Sequence, residues 1–176
     1  MNVLIACEFS GRVRDAFTAR GHDATSVDLL PSETEGDHVQ CSIFPYLKLL
    51  KAFEGNLEGV DLLIAHPPCT DLAVSGARWF KEKRADGRQQ AALQFVQDLL
   101  DAPIPRIALE NPVSVISSYI RKPDQYIQPW QFGHGETKKT GLWLKNLPLL
   151  KPTKIVDGRE QRVWKMAPSE ERWKDR

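Results

Sequence analysis

Val60-Asp61-Leu62-Leu63-Ile64-Ala65-His66-Pro67-Pro68-Cys69-Thr70 decides how this chain is read. An apolar run stopped by prolines is the pattern of a buried strand handing its chain to a loop, and open α/β sheets bind ligands just outside the carboxyl ends of such strands. Two successive prolines fix the backbone and withhold two amide donors, so Cys69 is held on a rigid loop. That suits a nucleophile better than the small buried role most free cysteines play. A second junction of the same kind follows where Arg106-Ile107-Ala108-Leu109 runs into Glu110-Asn111-Pro112. Glu110 reads either as an exposed carboxylate at a strand terminus or as a partly buried acid able to donate a proton.

Moving outward, residues 2–6 predict a first strand, and Cys7-Glu8-Phe9-Ser10-Gly11 a turn into a helix marked by Val13, Ala16 and Phe17 and stopped at Gly21-His22. A second strand is expected over 24–29, carrying Asp28. The turn lacks the full Gly-x-Gly-x-x-Gly cradle, but Asp28 stands roughly 20 residues beyond it, where an acid reaches a ribose hydroxyl. Residues 33–40 read as a polar loop. Cys41-Ser42-Ile43-Phe44 opens a short third element before a helix over 46–53. One helix is expected over 85–100, closed by Pro103, then a strand over 104–109 and a short helix over 113–120. Gln128 to Gly135 reads as an aromatic-rich loop, Gly141-Leu142-Trp143-Leu144 as a strand, and Val163-Trp164-Lys165-Met166 as a brief one. Alternating strands and helices predict an α/β fold: a mostly parallel, Rossmann-like sheet with helices on both faces.

The 176 residues fit one domain, with a core over about 2–144 and an irregular, more basic part over 145–176. Lys and Arg number 24 against 23 Asp and Glu, so overall charge gives no push toward nucleic acid, although a local basic surface is compatible with it. Three cysteines and no charged-then-apolar leader predict a cytoplasmic setting, and no apolar run approaches the roughly 20 residues of a membrane span. His22, His38, His66 and His134 show no zinc-binding spacing with the cysteines, so no metal is expected. Lys138-Lys139-Thr140 reads as a solvated turn entering a strand or as phosphate or carbonyl contacts at a pocket rim. Arg172-Trp173-Lys174-Asp175-Arg176 reads as a basic tail.

Phe9-Ser10-Gly11, Asp28, Pro67-Pro68-Cys69 and Glu110-Asn111-Pro112 stand in the order and at about the spacing of the DNA (cytosine-5) methyltransferase family. The chain resembles a compact phage or prophage member from about residue 2 to residue 144. The resemblance implies S-adenosylmethionine against Phe9, Ser10, Gly11 and Pro67, with Asp28 on its ribose and Ser42 and Ile43 beside its adenine. It also implies Cys69 as nucleophile, Glu110 as the acid at pyrimidine N3, Asn111 orienting the loop, Pro68 shaping the approach, and Lys138, Lys139 and Thr140 toward substrate. The sequence departs from the family pattern at Arg12 and Val13, where glycine is usual, and at Ser42, where Asp is usual. No segment has the length of a target recognition domain, so DNA specificity is expected to be low or borrowed from a protein partner. The target base is expected to be single-stranded or flipped out. Two other readings are modification of a free pyrimidine nucleotide and a silent methyltransferase-fold module that binds nucleic acid or protein.

Overall fold

The computed structural model describes residues 1–54, 57 and 59–160. The expected strand over 163–166, the basic tail, Trp164 and Trp173 lie outside the described residues. Seven strands form one sheet in the order β3-β2-β1-β4-β5-β7-β6. They are β1 (Asn2–Ala6), β2 (Asp23–Asp28), β3 (His38–Gln40), β4 (Leu62–Ala65), β5 (Ile107–Pro112), β6 (Gln125–Ile127) and β7 (Thr140–Lys145). The first five are parallel, and β7 runs antiparallel between β5 and β6. The helices are α1 (Arg12–Thr18), α2 (Ile43–Glu54), α3 (Phe80–Ala85), α4 (Arg88–Leu100) and α5 (Ile116–Tyr119).

Strand β1 is buried from Val3 to Ala6, as a strand covered on both faces requires. Alternation then divides its side chains. Leu4 and Ala6 join a large core with Leu63, Leu93, Val96, Leu99, Ile107, Leu109 and Trp143, toward α2 and α4. Val3 and Ile5 join a smaller one with Ala24 and Leu62, against Val13 and Phe17 of α1. Helices therefore lie on both faces, as expected, but unequally.

The structure redraws several elements. The third strand is His38–Gln40, inside the stretch read as loop, and Ile43 and Phe44 already belong to α2. This edge strand pairs only with β2 and is not fully buried, so it carries no apolar signature. The helix expected over 85–100 begins at Arg88, after Gly87 with φ 80°, and a separate short helix, Phe80–Ala85, precedes it. The strand expected over 104–109 starts at Ile107 and runs through Glu110, Asn111 and Pro112, because β7 pairs with it along that whole length. The helix expected over 113–120 shortens to Ile116–Tyr119, and β6 was not anticipated.

Candidate active site

The order of connection reverses between β1 and β4: from β1 the chain moves outward to β2, from β4 to β5. At such a point the loops leaving the two strands part and open a crevice. At this end of the sheet lie the exits of β1 (Cys7 to Gly11), β2 (Asp28), β3 (Cys41, Ser42), β4 (His66 to Cys69) and β5 (Glu110 to Pro112). Lys138 to Thr140, entering the antiparallel β7, lie there too, since Thr140 pairs with Pro112.

The thiol loop is held from several sides. The Asn111 amide donates to the Pro67 carbonyl at 2.9 Å, Lys83 Nζ donates to the Thr70 carbonyl, and Gln89 Nε2 donates to the Asp71 carbonyl at 3.2 Å. All three side chains are buried. The Cys69 carbonyl accepts the amides of Leu72 and Ala73 at 3.0 and 2.8 Å. The following segment pairs with the chain leaving β5, Val74 N to Val113 O and Val115 N to Leu72 O, each 3.0 Å. Loop and carboxylate strand are thus stitched together. Lys83 also forms an ion pair with Asp71 at 3.2 Å.

Glu110 sits at the end of β5, where its Oε2 meets His66 Nδ1 at 3.2 Å, and both side chains are 27% exposed. A cavity of about 540 Å³ adjoins Cys69 and is lined by Thr70, Ser75, Arg78, Trp79 and Lys83 among others, but not by Glu110. Arg78 lies 5.1 Å from the ring centre of Trp79. Of the lysines expected toward substrate, Lys139 lies over the Tyr126 ring at 4.2 Å, while Thr140 is buried.

The turn after β1 is stitched to the loop after β2. The Ser10 hydroxyl donates to Glu8, and the Phe9 carbonyl accepts the Glu33 amide at 2.9 Å. Gly11 has φ 73°, and a Cβ there would fall on Thr34 Oγ1 and the Arg14 guanidinium. Its room is therefore taken by protein atoms. Arg14 is buried and donates to Ser26, Ser32, Thr34, Glu35 and Asp15. Asp28 Oδ1 accepts the Leu30 amide at 2.9 Å. Ile43 is a core residue, its side chain packed among apolar neighbours. Cys7, on the same loop, has its thiol pushed up to about 12 by burial and then by the charge of Asp28.

Three observations bear on the fit of S-adenosylmethionine. Glu8 is buried with Oε2 unpartnered, an anionic acceptor suited to an ammonium or sulfonium group. Asp28 offers an acceptor at the end of β2. A cavity of about 320 Å³ opens between Pro68, Ala91, Ala92 and Phe95, with the charged Asp71 and Arg88 also on its wall, and Phe95 packs edge-on against Phe44, with ring centres 4.9 Å apart. The residues present fit the group. Lys83, Gln89 and Glu8 were not singled out in the sequence. Among the described residues no cluster of His, Cys, Asp and Glu could hold a metal, and no helix is long and apolar enough to cross a membrane.

The chain matches no protein family and no curated protein by sequence. Among solved structures it superimposes on a protein from an E. coli prophage, provisionally described as a DNA modification methyltransferase, with a TM-score of 0.59 over 96% of the chain. The likeness is one of fold: a mostly parallel α/β sheet with helices on both faces. Sequence identity to that protein is 15%, and the chain spans 55% of its length.

Proposed function

We propose that the chain is an S-adenosylmethionine-dependent methyltransferase acting at C5 of cytosine in DNA through a covalent Cys69 adduct. The observation that carries this reading is the stitching of the thiol loop to the end of the carboxylate strand, at the switch point of a methyltransferase-type sheet. Glu8, Asp28, Ser42, Ile43 and Pro67, with the turn at Phe9, Ser10 and Gly11, would hold the cofactor. When bound, it supplies the electrophilic methyl group.

The residues of the chain do the rest. Cys69 Sγ adds as thiolate to C6, and the electrons of the C5–C6 double bond move through the ring toward N3. Glu110 delivers a proton to N3, so the charge created by attack is neutralised and C5 becomes enamine-like. After C5 has taken the methyl group, its proton passes to solvent water, the C–H electron pair re-forms the C5–C6 double bond and expels the Cys69 thiolate, and Glu110 regains its proton from N3. Asn111 holds the Pro67 carbonyl throughout, Pro68 shapes the approach of the thiol, and Lys138, Lys139 and Thr140 sit toward the substrate. The cytoplasm is the setting in which a thiol nucleophile stays reduced.

Calorimetry with S-adenosylhomocysteine, followed by transfer of labelled methyl to duplex and single-stranded DNA, tests the proposal. Binding and label in DNA are expected, lost in Cys69→Ser and reduced by at least about a hundredfold in Glu110→Gln. Label in dCMP or dUMP alone selects the nucleotide reading. DNA or protein binding without binding of S-adenosylhomocysteine selects the silent module.

A further inference from the structure

We propose that His66 is a positioning residue that acts through Glu110, an inference that rests on the catalytic reading above. Its ring is fixed on three counts. The residue precedes Pro67, which confines its backbone to the extended region. Its amide donates to the Ala6 carbonyl at 3.0 Å, tying it across the switch point to β1. Its Nδ1 meets Glu110 Oε2 at 3.2 Å.

The remaining ring nitrogen, Nε2, is buried without a partner. The proton is assigned to Nδ1 when Glu110 is ionised, from the chemistry of the partner it faces. A carboxylate only accepts, so Nδ1 must donate; the opposite tautomer sets two acceptors face to face and leaves a buried N–H unpaired as well. His66 therefore presents a fixed N–H to one carboxylate oxygen and leaves Oε1 for the substrate. When the Oε1–H bond breaks and its proton passes to N3, the electron pair stays on the carboxylate, and the Nδ1–H bond to Oε2 becomes charge-assisted. When N3 returns the proton, that bond relaxes. The hydrogen bond is stronger after proton transfer than before, which is the condition for raising kcat rather than only tightening binding.

The test has two arms. In the first, His66→Ala lowers kcat on the order of tenfold to a hundredfold, the scale for a group that orients another functional residue, with KM for DNA nearly unchanged. His66→Asn, whose amide N–H takes the place of Nδ1, restores most of that loss, while His66→Gln, which mimics Nε2, does not. An active wild type with kcat unaltered in His66→Ala, or rescue by Gln and not by Asn, overturns the inference. In the second arm, nitrogen NMR of the intact protein reads the tautomer directly. Protonation at Nδ1 that shifts in Glu110→Ala supports the pairing; protonation at Nε2 that ignores Glu110→Ala overturns it. A wild type inactive on every substrate but carrying the Nδ1–H tautomer counts against the catalytic reading and not the pairing.

Discussion

Cys7 and Cys69 leave neighbouring strands and are both half-buried, yet Cys7 is desolvated and set against the charge of Asp28. The Cys7 thiol is pushed up to about 12 by burial and by Asp28, so at pH 8 only about one molecule in ten thousand carries the thiolate there. Iodoacetamide at pH 8 is expected to alkylate the half-buried Cys69 and leave Cys7 intact, read by peptide mass spectrometry; labelling of Cys7 at a comparable rate would refute this burial argument. The same shift has a thermodynamic sign. Between about 9 and about 12 the folded chain keeps a proton that the unfolded chain loses, so stability from this group is whole below pH 9 and drains away as pH rises toward 12. Urea midpoints at pH 8 and 10.5 should differ less in Cys7→Ala than in wild type. Gly11→Ala places a Cβ on Thr34 Oγ1 at positive φ and should cost about 2 kcal/mol, part of it recovered when Thr34→Ala is added.

The thiol loop depends on side chains from other elements. Lys83 of α3 and Gln89 of α4 are buried polar groups whose donors end on loop carbonyls, and Lys83 also neutralises Asp71. Lys83→Met leaves the half-buried Asp71 with only Arg88 at 4.0 Å and orphans the Thr70 carbonyl. A loss on the order of 3 kcal/mol is expected in urea unfolding, and a change under about 1 kcal/mol would mean the pair is not what holds the loop. The exit of β4 toward Cys69 is legible in the sequence because an apolar run ended by prolines marks a strand exit locally, and Glu110 is legible only as following an apolar run. The sequence hid Lys83 and Gln89, since on a helix read from its apolar positions a Lys and a Gln count as the wet side; what buries them is a loop that folds back from β4. Strands β3 and β6 were hidden for a related reason. They are three-residue edge strands, fixed by the partner they pair with and not by apolar alternation. The end of β5 escaped likewise, because Glu110 to Pro112 are strand only by virtue of β7.

Across the whole molecule, charge is nearly balanced. The chain carries 24 Lys and Arg against 23 Asp and Glu. Several described cations are already engaged: Arg14 and Lys83 inside the fold, Arg88 with Asp86, and Arg121 with Asp124. Near the thiol and the start of β7, Arg78 and Lys139 lie against the exposed aromatic rings of Trp79 and Tyr126, where a cation and a stacking face are offered together. On the proposed reading, such a surface grips nucleic acid by stacking more than by phosphate neutralisation. With about three phosphates of a single strand neutralised, the slope of log affinity against log salt should be about −2, a loss of roughly twentyfold between 50 and 200 mM salt. Fluorescence anisotropy with a single-stranded oligonucleotide measures it, and Trp79→Ala should weaken binding by about 1–3 kcal/mol without altering the slope. A slope near −10 would defeat this account, because it demands many more phosphate contacts than Arg78 and Lys139 supply. The grip would then have to come from the basic residues after position 160, and a chain ending at residue 160 would lose most of the slope.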